Sequence, residues 1–291
     1  MNIFQKNARK FIVLASLAGS ASAIFIRLID TSPEAMGFYR LGFAMLIFTP
    51  PIIFGGYKGY RGFSVKDILS CVLAGFFLFG HFFCWFTAVK NTAIASAAVL
   101  ISVHPLVIVF ITTVFLKYRV KAKSLLGIIT VLTGGAIIAG FDYSYAGDQT
   151  FGNAVALVAA VFFGGYFLVG HKMRAKMQLM NYVFIVFGSC FLFFSATMLV
   201  TKTPFTGYRA EDYLWIIAMT LVCQVIAHVL YNWSMKYASS LYVSVCVSFE
   251  AVFATALGII FLQEIPTVWQ CVGGAIAISG LIYYNLNEVR A

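Results

Sequence analysis

Charged side chains are scarce in this chain: Asp, Glu, Lys and Arg make up 10% of 291 residues, against 62% hydrophobic ones. Soluble domains carry roughly 25% charged residues, and no polar stretch here is long enough to bury a core of its own. The composition excludes a soluble domain and points to an integral membrane protein. Catalytic motifs are missing as well. Without H-E-x-x-H, G-x-S-x-G or paired aspartates, intramembrane acid–base catalysis by His and Glu has no motif behind it, and no enzyme is expected. No cysteine pair has C-x-x-C spacing; Cys71, Cys84, Cys190, Cys223, Cys246 and Cys271 lie one per apolar segment. They read as small packing residues, with neither a disulfide framework nor a metal site. No cofactor is expected. The net charge of +10 comes from basic residues scattered between apolar runs, which argues against a nucleic-acid surface.

What the chain has is apolar runs. About 20 apolar residues cross ~30 Å of hydrocarbon as a helix, and ten such runs occur: roughly 11–29, 33–54, 67–89, 93–116, 122–141, 151–171, 180–201, 213–235, 240–262 and 267–286. The first follows Lys6, Arg9 and Lys10 and contains Ala21-Ser22-Ala23, which resembles a cleavable signal peptide. Its apolar character continues to Ile29, however, and Ala15, Gly19 and Ala23 form a small-xxx-small face suited to close helix packing. It is retained as a span. Alternating ten spans with both termini inside puts 15 of the 20 Lys and Arg on the cytoplasmic side and leaves Arg27, Arg40, Lys90, Lys202 and Arg209 toward the outside. A plasma (inner) membrane protein with cytoplasmic termini is expected, as a monomer or weak dimer whose other partners are the bilayer and a small-molecule solute.

A duplication runs through these spans. Shifting by 146 positions places Lys90 on Lys236, Val99 on Val245, Ser102 on Ser248, Phe115-Leu116 on Phe261-Leu262, Gly127 on Gly273 and Gly134 on Gly280. It also places His104 on Glu250. Residues 1–141 and 151–291 therefore read as two five-helix repeats joined by an external linker, 142–150. Five is odd, so the second repeat enters the membrane from the opposite side. The expected fold is all-α, ten transmembrane helices in two inverted five-helix repeats. Secondary transporters recurrently use this plan, with the site at the midplane.

Several polar groups lie deep in the spans. At ~1.5 Å per residue, Glu250 and His104 fall near the midplane, where a charge costs at least ~2.5–3.5 kcal/mol unless paired or protonated. Glu250 is either a substrate or proton site, or a protonated acid bonded to a neighbouring helix. His104 has the same choice, or satisfies locally a carbonyl freed by Pro105. Gln224, His228 and Asn232 recur at i, i+4 and i+8 with Tyr231 beside them, a stripe that lines a wet path or glues helices together. His81, with Trp85 one turn on, aligns within one residue of His228; the two histidines flank a central site or simply pack. Arg40 has Val186 as its equivalent, so the repeat is broken there. It snorkels, pairs with Glu34 or meets an anionic substrate group, with Tyr39 and Phe38 adding aromatic contact. Trp85, Tyr166, Tyr231 and Trp233 are candidate aromatic walls. Lys90 and Lys236 read as interfacial anchors and Glu264 as an exposed helix-terminal charge.

The stretches Phe86–Gly140 and Asn232–Tyr284 resemble the two repeats of EamA-type transporters, in the drug/metabolite transporter superfamily. The matching features are Lys90 and Lys236, Pro105, Leu262-Gln263-Glu264, Gly152-Asn153 and Arg40. Tyr118 departs from the terminal glutamate of the first repeat. Ala251 stands where a proline often follows Glu250, which keeps backbone hydrogen bonds and predicts a straighter ninth span. The resemblance implies a ten-helix carrier of amino acids, other small metabolites or drugs, with a cavity among spans 1, 3, 4, 6, 8 and 9. The residues and the resemblance together predict a secondary transporter of an amphipathic or zwitterionic, amino-acid-like metabolite. It would export by alternating access, with Glu250 exchanging a proton under the influence of His104 or His228. A multidrug or organic-cation exporter of the same fold is the alternative.

Overall fold

A computed structural model describes residues 3–54, 62–117, 122–145 and 149–288. Lys58, Arg61, Tyr118, Arg119, Lys121, Arg290 and linker positions 146–148 lie outside them, as do the side chains of Lys6, Arg9, Lys10 and Lys123. The described residues form α1 (Ile3–Leu28), α2 (Pro33–Phe54), α3 (Val65–Asn91), α4 (Ile94–Ile101), α5 (His104–Leu116), α6 (Ala122–Tyr145), α7 (Thr150–Arg174) and α8 (Leu179–Thr201). There follow α9 (Ala210–Met219), a π-helical stretch Thr220–His228, α10 (Val229–Ser234), α11 (Ser240–Val247), α12 (Glu250–Leu262) and α13 (Val268–Glu288). Taking α4 with α5, α9 through α10, and α11 with α12 as single crossings gives ten transmembrane helices. Eight crossings are long and apolar enough on their own; Ser124–Ile138 in α6 and Val268–Tyr284 in α13 are shorter apolar cores. Large apolar side chains such as Leu46, Phe115 and Val200 point outward, as hydrocarbon surroundings require. The first span is an integral part of the bundle, with Ala15 and Ala23 fully buried.

The duplication is carried in the backbone. α4 and α5 shifted by 146 positions coincide with α11 and α12, and both α5 and α12 end on a left-handed residue, Lys117 (φ 53°) and Gln263 (φ 56°). Both crossings break at equivalent points through a tight turn: Leu106 N–H donates to Val103 O at 2.8 Å, and Val252 N–H to Phe249 O at 3.1 Å. That turn deprives the Ser102 and Ser248 carbonyls of their α-helical donors. Each is satisfied by the other repeat, because Ser102 Oγ donates to Ser248 O (3.1 Å) and Ser248 Oγ donates to Ser102 O (3.0 Å). This reciprocal pair marks where the pseudo-two-fold axis passes. The same symmetry appears where α6 packs on α13. A Cβ on Gly127 would lie 2.8 Å from Gly280 O, and one on Gly273 would lie 2.7 Å from Gly134 O, so the four glycines let two backbones touch.

One expectation is corrected here. The ninth span is not one continuous helix: α11 gives way to α12 although Ala251 replaces proline. The break is built into the paired serines and the tight turn, so proline is not required for it. Ala251 N–H makes only a short-turn bond to Ser248 O (3.2 Å) and sits in the first turn of α12, a place that accepts proline. Ala251→Pro is therefore expected to change stability by about 1 kcal/mol or less. Thr255→Pro, inside α12, should cost about 3 kcal/mol or more. Thermal unfolding in detergent of the two variants compares them directly; equal losses would contradict this account of the break.

Candidate functional site

The break in each repeat opens a small central cavity. It holds about 30 Å³, room for roughly two waters at ~10–15 Å³ each. Its lining comes from α1 (Gly19, Ser22), α2 (Arg40), α3 (His81, Phe82, Trp85), the α4–α5 break (Ile101, Ser102, His104), α7 (Phe163), the π-helical stretch (Cys223, His228) and the α11–α12 break (Val247, Glu250). Among the described residues, the fifth and tenth crossings contribute none to the lining. The second crossing does, through Arg40.

Glu250 is held by Tyr231, whose hydroxyl lies between Glu250 Oε1 and the Ala15 carbonyl (2.8 Å). A hydroxyl has one proton to donate, and a carbonyl only accepts. Both contacts are hydrogen bonds at once when Tyr231 donates to Ala15 and a protonated Glu250 donates to Tyr231. Gly19 allows this close approach, since a Cβ there would lie 2.7 Å from Tyr231 Oη and overlap the Glu250 carboxyl. The small-residue face read in the first span thus packs against the acid.

Arg40 neither snorkels nor pairs with Glu34. Its side chain is buried (1% exposed), with the guanidinium carbon 4.1 Å from the Phe82 ring centre and Nε donating to Gln224 Oε1 at 3.0 Å. Its Nη1 and the Gln224 Nε2 are buried without hydrogen-bond partners, and among the described residues no carboxylate lies within ion-pair distance of it. The cation–π contact is worth about 2 kcal/mol when desolvated, which offsets only part of the cost of burying a cation.

The histidines take distinct places. Pro105 lacks the N–H that would bond Ile101 O, and His104 Nδ1 donates to that carbonyl at 3.0 Å. The local role read from the His-Pro pair is therefore present, with Nδ1 as the donor and Nε2 buried on the other side of the ring, which also lies near the Ser244 backbone. His81 donates from Nδ1 to Ala159 O (3.4 Å) and stacks on Phe163, ring centres 3.9 Å apart. His228 meets Phe82 edge-on at 5.0 Å, and its Nδ1 has no partner. Both His81 and His228 line the one cavity. Trp85 donates from Nε1 to Ser22 Oγ at 3.2 Å.

The polar stripe of the eighth span divides among different partners, although the i→i+5 winding of the π-helical stretch keeps positions four apart close to one face. Gln224 turns to Arg40 and His228 to the cavity, whereas Asn232 is fully buried, accepting from Tyr166 Oη (2.9 Å) and donating to His228 O (2.7 Å). Asn232 and Tyr166 form helix-to-helix contacts away from the lining. Trp233 packs on Phe11 at 5.6 Å and is not among the residues lining the central cavity. Tyr39 sits in an aromatic cluster toward one end, bonded to Phe205 O and 5.0 Å from the Tyr213 ring. Gly19, Ser22, Phe82, Phe163 and Cys223 were not singled out as site residues by sequence reasoning; none is charged.

The two ends of the bundle are tied separately. At one, Arg27 pairs with Glu264 (3.4 Å) and Lys90 donates to Thr31 O; at the other, Lys176 pairs with Asp67 (2.9 Å) and Arg174 Nε donates to Asn232 O (2.9 Å). Glu264 also accepts from Ile94 N–H, so it caps α4 as well as ending α12. Lys236 lies 5.9 Å from the Tyr237 ring centre.

Comparison with known proteins places this geometry. Residues 9–140 and 150–286 each match the EamA-like transporter family. Two proteins of Archaeoglobus fulgidus, both named uncharacterized transporters, are 24% identical over 275 and 283 residues. They cover 93% of this chain each, and 93% and 94% of their own lengths. A Bacillus subtilis protein named uncharacterized transporter YxxF is 21% identical over 78% of this chain and 72% of its own. A solved crystal structure shares the fold with a TM-score of 0.71 over 98% of both chains at 18% identity. The chain belongs to the EamA-like transporter family and is a multi-pass membrane transporter of the drug/metabolite type.

Proposed function

We propose that the protein is a secondary carrier of a small zwitterionic metabolite, an amino acid or close analogue, bound in the central cavity between Arg40 and Glu250. The observation that carries this reading is Arg40: a buried guanidinium with an unpartnered N–H, on the same cavity as an acid. Buried cations are retained when something pairs with them, and a guanidinium fork matches a carboxylate. Glu250 would take the ammonium group, giving up the proton that it would otherwise donate to Tyr231. His104 Nε2 and His228 add neutral polar contacts, and Phe82, Trp85 and Phe163 supply apolar walls. With room for only about two waters, the cavity would have to widen to admit solute; rocking of one repeat against the other about the Ser102–Ser248 pair provides a route. Charge asymmetry supports an orientation with both termini inside; the proposed direction, export across the plasma membrane, follows the family resemblance. The roles assigned here belong to a transporter family and call for no chemical turnover.

Counterflow in proteoliposomes tests the substrate class. A zwitterionic amino acid should exchange saturably and be displaced by other amino acids. Its methyl ester and its decarboxylated amine should compete at least about tenfold less well, each having lost the group that Arg40 would bind. Inhibition by lipophilic cations with no effect of amino acids would favour the organic-cation reading, which a buried Arg40 disfavours.

A further inference from the structure

Away from the central cavity, two larger hollows adjoin at Gln270. One is a polar chamber of about 450 Å³ at the end of the bundle carrying Arg27 and Lys90; its wall includes Glu264, Thr92 and Gln149. The other is an apolar groove of about 340 Å³ opening sideways between α4, α12 and α13, lined by Val99, Ala256, Ile259, Ala275 and Ile278 among others. Gln270 borders both. Its own polar atoms are used inward, Nε2 donating to Ser96 Oγ at 2.9 Å and Oε1 accepting from Thr267 N–H at 2.9 Å, so it divides the hollows without closing them.

We propose that the two hollows together are a binding site for one phospholipid, with its phosphodiester in the chamber and one acyl chain in the groove. Four features of the site agree. Both volumes fall within the ~300–1,000 Å³ of small-molecule sites. The chamber carries two cations against one carboxylate, and that carboxylate is already taken: Glu264 accepts from Ile94 N–H and pairs with Arg27. Lys90 donates to the Thr31 carbonyl; Asp30 and Asp212 act on it through space, but among the described residues no carboxylate lies within ion-pair distance of it. It is an interfacial cation with donors to spare. The groove runs along α13 from Gln270 to Ile278, about 12 Å at 1.5 Å per residue, which spans most of one leaflet of a ~30 Å hydrocarbon layer. It lies at hydrocarbon depth, where acyl chains are the apolar molecules at hand. Small residues make the space: Ala256 and Ala275 face outward where larger side chains would fill it. In the orientation proposed above, the lipid belongs to the outer leaflet. Its tail would lie against Ala251, beside the α12 break.

The test uses the full-length protein purified in detergent and in nanodiscs containing phosphatidylglycerol and phosphatidylcholine. Native mass spectrometry reads how many lipids survive stepwise detergent washing. The wild type should retain one phosphatidylglycerol long after the remainder is stripped. Lys90→Gln should cut that retention about tenfold, as loss of a charge-assisted hydrogen bond predicts. Ala275→Phe, which fills the groove from its exposed side, should abolish it while leaving lipid-free thermal unfolding unchanged. Glycerol 1-phosphate, the headgroup without a tail, should not compete at millimolar concentration. Retention indifferent to both variants would mean annular lipid and would overturn the proposal. So would glycerol phosphate competing as well as the lipid, which would mark a free-anion site.

Discussion

Arg40→Met should bind the zwitterionic substrate about 100-fold more weakly while unfolding at the same temperature as the wild type or higher. The two signs come from different states. In the empty carrier Arg40 is a buried cation with no carboxylate partner, resting on Phe82 and Gln224. Replacing such a charge with an apolar side chain of similar length is often neutral or stabilising, although Gln224 Oε1 would lose its donor, at about 1–3 kcal/mol. With substrate bound, the same change removes a charge-assisted, bidentate pair worth about 1.5–3 kcal/mol, which is roughly 10- to 150-fold. Arg40→Lys keeps the charge but loses the fork and should recover little affinity. Calorimetric binding and thermal unfolding of the same preparations check both halves. Unchanged affinity with a fall in stability would make Arg40 a structural residue.

Glu250→Gln should fold as the wild type and lose proton-driven transport by about 100-fold or more. An amide can donate to Tyr231 Oη as a protonated carboxyl does, so the contact among Glu250, Tyr231 and Ala15 survives. The amide cannot release a proton or pair with an ammonium group. Transport of a zwitterion driven by a pH gradient should therefore disappear. A des-amino analogue, which presents only a carboxylate, should bind the variant and the wild type alike, because Arg40 is untouched. Full gradient-driven transport by Glu250→Gln in liposomes would remove Glu250 from the coupling step.

Much of the architecture was legible because burial cost is readable in one dimension. Ten apolar runs, a 146-residue repeat and an odd number of helices in each half define the inverted bundle without any side-chain geometry. Depth alone picked out Glu250, His104, His81 and His228, and all four line one cavity. The Pro105 argument located the His104–Ile101 contact for the same reason: a missing N–H is a fact of sequence. What the spacing could not show was the partner of each stripe residue. Gln224 meets Arg40 and Asn232 meets Tyr166, and neither contact is written in the i, i+4, i+8 pattern. Nor does residue type announce the π-helical stretch Thr220–His228. Ala251 misled. Absence of proline was read as continuity, whereas the break rests on two serines 146 positions apart bonding each other's carbonyls. Gly19 was noticed for packing and not for the site, because a glycine shows its importance only when the atoms opposite it are known.

The central claim is that substrate and proton share Glu250 in the cavity that Arg40 also lines. It is tested most directly by titrating a zwitterionic amino acid into purified protein in two buffers of different ionisation enthalpy, which yields the number of protons exchanged on binding. The account predicts about one proton released per substrate bound by the wild type and none by Glu250→Gln. Tight binding by the wild type with no proton released, or the same release from both proteins, would contradict it.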